Sequence, residues 1–164
     1  SLPPADPWFA GATLNYFYFG HAVTAVFAQV SGVPAAFAFN LAIATIAAML
    51  ATAACIAAWQ WTARLSSGLA AAGLTVLVGN LAGGRTWLAG GVDRLGFDHF
   101  WSSSRVVAGT INEFPFWNLV FADLHAHVLA MPLQVGLLYV GALWTTARGG
   151  QATVLLPLWS AWLA

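Results

Sequence analysis

Charge is what this sequence has least of. Only 6% of its 164 residues are charged, against roughly 25% in an average soluble domain. All five basic residues are arginines, and five acids balance them. With no lysine and no basic patch, the chain lacks the electrostatic footprint of a nucleic-acid binder, so no nucleic-acid partner is expected. Cysteine is almost absent too. Cys55 stands alone in an alanine-rich apolar run, which excludes a disulfide framework and a cysteine-based metal centre. There is no Walker loop and no dinucleotide fingerprint. The chain opens at Ser1 without a signal-peptide pattern. It stops within the apolar run 154–164, too short for the roughly 20 residues of a span. It reads as a fragment of a longer protein.

Apolar residues are what it has in excess, at 60% of the total, and residues 7–63 contain no Asp, Glu, Lys or Arg. A water-soluble globule needs more polar surface than this. The sequence predicts an all-α, polytopic transmembrane bundle, one membrane domain whose surroundings are membrane lipid. Residues 35–61, 66–82 and 128–146 read as spans, with Pro132 tolerable in the first turns of the third. Residues 152–164 read as a truncated span. Block 13–30 is ambiguous. Its Tyr16-Phe17-Tyr18 cluster and its polar Asn15, His21 and Gln29 suit an interfacial helix, although 18 fairly apolar residues could also cross.

Seven of the ten charges fall between Arg85 and Asp123. This makes residues 83–127 a long polar loop, broken by glycines in its first part. Its aromatic residues argue for a folded, membrane-associated segment rather than a disordered one. The expected orientation puts Arg64 and Arg148 on the cytoplasmic side and the polar loop outside. A bare count of arginines votes three to two against it.

The sharpest local constellation is Phe121-Ala122-Asp123-Leu124-His125-Ala126-His127. In an extended segment Asp123, His125 and His127 share a face; in a helix only Asp123 and His127 align. Ionisable groups beside a span are costly and point to function: a divalent-metal site, a phosphate contact or acid–base work. The bland alternative is a hydrogen-bonded loop that caps the next span. Asp98-His99-Phe100-Trp101-Ser102-Ser103-Ser104-Arg105 offers hydroxyls and a guanidinium fork suited to phosphate. Equally, it reads as a capped helix start with Arg105 paired to Asp98 or Glu113. Asn112-Glu113-Phe114-Pro115-Phe116-Trp117 sets a carboxylate among interfacial aromatics. Asp6, ahead of Pro7, is by spacing alone a turn residue. His21 on an aromatic helix is more often structural than chemical.

In order, DPWFAGATLNYFYFGH, FDHFWSSSRVV, INEFPFW and FADLHAHVLA resemble the signature blocks of the YYY membrane proteins. That family is named for a tyrosine triplet, which here reads Tyr16-Phe17-Tyr18. The family is in turn remotely similar to the GT-C membrane glycosyltransferases, which set an essential Asp in the first external loop. There it precedes an interfacial helix near a His and two spans with a tight cytoplasmic turn. The resemblance implies that block 13–30 does not cross, that Arg64 is cytoplasmic and that Asp6 is functional. It implies a glycosyltransferase using a polyprenyl-phosphate-linked sugar. Asp6 would then be catalytic, and Arg105, Glu113, His21 and Asp98 would bind substrate. The resemblance does not itself assign His125 or His127; with Asp123 they would, on the same hypothesis, bind the donor phosphate, directly or through a divalent cation such as Mg or Mn. The competing expectation is a non-catalytic membrane subunit or transport component.

Overall fold

From Ala35 to Thr62 the chain has no glycine, proline or charge, and nothing interrupts the helix that alanine and leucine favour. A computed structural model of the chain describes residues 3–90 and 96–146, and the regular elements among them are all helices, with no strand. The elements are α1 (Phe19–Ser31), α2 (Ala35–Thr62), α3 (Leu65–Gly73), α4 (Ala82–Gly90), α5 (Phe97–Ser103), α6 (Pro115–Val120) and α7 (Ala126–Thr146). A π-helical turn, Leu74–Val78, continues α3. The expected truncated span 152–164 lies outside the described residues, as do Asp93, Arg94 and Arg148.

Two helices are long and apolar enough to cross a membrane, Ala35–Thr62 and Ala126–Trp144. At 1.5 Å per residue α2 reaches about 42 Å, more than the ~30 Å hydrocarbon layer. Pro132 is carried inside α7. The expected span 66–82 comes out shorter, because the helix that starts at Leu65 ends at Val78. Its stop is Gly79, at φ 58°, ψ −138°, a conformation open essentially to glycine. The Phe114 ring lies where a Cβ would project. Fourteen helical residues extend only about 21 Å.

Block 13–30 also differs from expectation, since its helix begins only at Phe19. Thr13 is bridged to Ala5, and the Leu14 N–H donates to Pro4 O. Backbone committed to that pairing cannot join a helix. The remaining 13 residues of α1 extend about 20 Å, short of the hydrocarbon thickness.

α2 reverses into α3 at Ala63, which takes a left-handed φ of 54°. The two helices form the antiparallel hairpin that small residues permit in lipid. Gly68 marks the closest approach, where an added Cβ would meet Cys55 O at 2.7 Å and Cys55 Sγ at 3.0 Å. α1 and α7 pack on α2. The buried apolar core is small: Ile43, Leu50 and Ala54 on α2, then Trp117, Leu124 and Val128. Large apolar side chains stay on the outside, among them Phe37, Leu69, Leu74 and Leu138. An apolar face of that extent is a surface for lipid or for further helices.

The polar loop is itself folded, as α4, α5 and α6. Gly83 and Gly84 do not break α4; they sit in its first turn. Asn80 fixes the entry, its Oδ1 accepting the Ala82 N–H and its Nδ2 donating to Ser103 O at 2.7 Å. Phe97, Phe100, Phe116, Trp117 and Phe121 then join α5 to α6, with ring centroids 5.0–6.1 Å apart.

Candidate functional site

The site forms where α7 begins. Residues 121–125 are non-helical, with Ala122 at φ 52°, and α7 starts at Ala126. Asp123 and His125 therefore lie in irregular chain ahead of the helix, and His127 lies in the first helical turn. Neither of the two regular geometries considered from the spacing is adopted. The result places the His125 and His127 rings in a stack with centroids 5.7 Å apart.

Two local bonds fix this segment. The Asp123 N–H donates to Asn118 O at 2.7 Å, and the Leu129 N–H to His125 O at 3.2 Å. A third bond comes from far along the chain. His21 Nε2 meets Leu124 O at 2.8 Å, on a face of α1 where Gly20 packs against Leu129. His21 thus holds the backbone between Asp123 and His125, and its ring nitrogen is engaged with protein.

Glu113 is the centre of the cluster. It precedes α6, whose start Pro115 sets at the first turn, a position suited to proline. Its carboxylate is only 6% exposed. Oε1 lies 3.8 Å from Arg105 Nη2, and Oε2 accepts from Asn118 Nδ2 at 3.2 Å. The same Oε2 is 3.3 Å from His125 Nδ1 and 4.0 Å from His127 Nε2. Asp123 Oδ2 reaches His125 Nδ1 at 2.8 Å. His125 Nδ1 is itself shut off from solvent and has no hydrogen-bond partner in line. His127 Nε2 also lies 3.4 Å from Asn118 Oδ1.

Arg105 enters from the end of α5. Its guanidinium lies over the Trp101 ring at 3.8 Å, a favourable cation–π geometry, and donates to the Ser104 hydroxyl. Ser104 is fully buried, and its Oγ donates to Trp101 O at 2.8 Å. The Ser-Ser-Ser-Arg run therefore aims an arginine at Glu113. Of the two pairings considered for Arg105, Glu113 is the one formed.

The fold thus joins Arg105, Glu113, Asp123, His125 and His127, with His21 behind them. Asp98 is elsewhere, exposed in the first turn of α5. Asp6 accepts from the Trp8 and Phe9 N–H groups through Oδ1, at 2.8 and 3.2 Å. No described hydrogen bond or ion pair ties it to the cluster. Among the described residues, the three side chains whose donor atoms all lie within 4.8 Å of one another are Glu113, His125 and His127, whereas the spacing pointed to Asp123 with the two histidines. Asn118, fully buried and bonded to Glu113, was not singled out from the sequence. Its only sequence signal is its place five residues after Glu113 on the helix that Pro115 opens.

Beside the cluster runs an apolar groove of about 900 Å³ between α1, α2 and α7. Ala126 and Leu129 line it, so it begins between the two histidines of the site. Of its hydroxyl-bearing residues, which include Tyr16 and Tyr18, Thr24, Ser31 and Thr45 are turned back onto their own helices at Gly20 O, Phe27 O and Leu41 O. These three leave no free hydroxyl donor on the helical walls they occupy.

No curated protein and no solved structure matches this chain. The model of one family, described as an uncharacterized membrane protein family (DUF2298), matches residues 1–162, and the chain belongs to that family of membrane proteins.

Proposed function

We propose that this membrane protein is a GT-C-like glycosyltransferase that draws sugar from a polyprenyl-phosphate donor. One observation carries the reading: the charged cluster and the apolar groove meet at Ala126. A lipid-linked phosphate needs both, a dry channel for its chain and polar donors at its head. Arg105, held by Ser104 and Trp101, is the phosphate clamp. His125 and His127 flank the leaving oxygen. Asp6, on the loop that leads into α1, supplies the base. The acceptor hydroxyl attacks the anomeric carbon, its proton passes to the Asp6 carboxylate, and the carbon–oxygen bond to phosphate breaks. In this reading the polar segment faces the extracytoplasmic side, and Arg64 at the far end of the α2–α3 hairpin faces the cytoplasm.

The alternative role, a transport component, is less well supported. Neither α2 nor the helix Leu65–Val78 carries an Asp, Glu, His, Lys or Arg, the groups that line ion pathways. The test is sugar transfer by the full-length protein in liposomes supplied with labelled polyprenyl-phosphate sugars. Arg105→Leu should lower the rate about a hundredfold, the usual cost of one preorganised charge-stabilising donor. A wild-type rate in the Asp6→Ala, Asp123→Ala double variant would overturn the assignment.

A further inference from the structure

We infer that Glu113, His125 and His127 form a site for a transition-metal dication of the zinc type, with an open coordination position. The argument rests on donor chemistry and geometry and does not depend on the transferase reading. Two imidazoles and one carboxylate suit Zn²⁺, Co²⁺ or Fe²⁺. Mg²⁺ and Ca²⁺ seek all-oxygen shells, so the pattern departs from the Mg or Mn expected from the sequence. Three protein ligands with an open position are the arrangement of catalytic rather than structural zinc.

Bonds of about 2.0–2.1 Å to a tetrahedral ion set neighbouring donors about 3.3–3.4 Å apart. His125 Nδ1 and Glu113 Oε2 already stand at 3.3 Å. His127 Nε2 lies 4.0 Å from the same oxygen. A side-chain rotation in the first turn of α7 closes that gap, exchanging the 3.4 Å contact with Asn118 Oδ1 for the ion.

A second observation points to a ligand independently of these spacings. His125 Nδ1 is a solvent-excluded nitrogen on which Asp123 Oδ2 at 2.8 Å and Glu113 Oε2 at 3.3 Å converge without hydrogen-bond alignment. A cation bound among these donors satisfies the nitrogen lone pair and the carboxylate charge together. Charge agrees: with neutral imidazoles, Glu113 and Asp123 outweigh Arg105 by one negative charge. The supporting contacts are also in place. Asn118 donates to the Glu113 carboxylate, and Asp123 Oδ2 stands 2.8 Å from the ligating His125 Nδ1 itself, where its charge reinforces the site. Such neighbours orient the ligands and tune affinity.

The experiment is a Co²⁺ titration of full-length, chelator-stripped protein in nanodiscs, read by visible absorption. One Co²⁺ per chain should give the visible bands of a four-coordinate ion, which stoichiometric Zn²⁺ abolishes and a large excess of Mg²⁺ leaves intact. Glu113→Gln and His125→Ala should each remove the bands. Asp123→Asn should keep them with affinity lowered about 10- to 100-fold. The His127→Cys variant covers the case in which the alanine variant fails to fold: a thiolate ligand adds a near-ultraviolet charge-transfer band. Unchanged bands in the His125→Ala, His127→Ala double variant would overturn the site, as would displacement by Mg²⁺ or no charge-transfer band with His127→Cys. The readout needs no sugar donor, so this site and the transferase reading fail separately.

Discussion

The α2–α3 hairpin and the segment from Phe97 to His127 are built in opposite ways. The hairpin is apolar outward: Phe37, Leu69 and Leu74 are each more than 60% exposed. Its core on α2 is only Ile43, Leu50 and Ala54. The other segment is polar inward, with Ser103, Ser104 and Asn118 at 3% exposure or less. One region is held by close approach of small residues, the other by directed hydrogen bonds. In lipid there is no hydrophobic force between helices, so packing must supply the first kind of cohesion. Buried polar groups must be satisfied individually, and this gives the second its fixed geometry. A binding site belongs on the second.

The contrast is broken most severely at Gly68. A side chain there meets the Cys55 carbonyl oxygen, a backbone atom that cannot swing aside. Gly68→Leu should cost about 3 kcal/mol by overpacking, measured by reversible unfolding in detergent micelles. Gly73, in the same helix, has nothing within 4 Å of its Cβ position. Gly73→Ala should be neutral or gain a few tenths to about 1 kcal/mol from helix propensity. Equal losses at both glycines would mean that propensity, not packing, holds the hairpin.

The polar region breaks differently, by losing a bond rather than gaining a clash. Asn118→Leu has about the same volume but leaves Glu113 Oε2 without its amide donor. The cost should be about 1–3 kcal/mol, the price of one unsatisfied group near a buried charge. The Co²⁺ bands should shift as Glu113 reorients, while the Gly68→Leu variant, if folded, should leave them unchanged. An unshifted spectrum in Asn118→Leu would detach Asn118 from the site.

The two regions also differed in how far the sequence disclosed them. α2 was legible almost to the residue, because a run without breakers admits one structure. The helix after Arg64 was read too long, since the hydropathy of 66–82 does not reveal that Phe114, 35 residues on, occupies the space over Gly79. The start of α1 was misplaced because the pairing of Pro4 and Ala5 with Thr13 and Leu14 is not a local signal. In the site, Asp123, His125 and His127 share one short motif and could be grouped by spacing. Glu113 reaches them only through α6, and Asn118 is an ordinary helical residue until the fold buries it. Sequence proximity shows which groups can converge, and tertiary contact decides which of them share an atom.

His21 gives the finest test of the comparison, because it belongs to neither region and ties α1 to the second. From the sequence it was grouped with substrate-binding residues, yet its Nε2 is 2.8 Å from the Leu124 carbonyl oxygen. Leu124 lies between Asp123 and His125 and is 4% exposed, so a bond to its carbonyl sets the direction in which both neighbours project. If His21 acts by positioning, what matters is an N–H donor at that place, not an imidazole. His21→Phe keeps the ring and loses the donor; His21→Gln keeps a donor on a side chain of similar reach. The first should cost about 1 kcal/mol of stability, the net worth of one hydrogen bond. It should also loosen Co²⁺ binding about tenfold, at the lower edge of outer-shell effects. The second should restore most of both. A residue that contacts substrate would behave otherwise: the glutamine variant would lose sugar transfer as fully as the phenylalanine one, with stability and cobalt affinity unmoved.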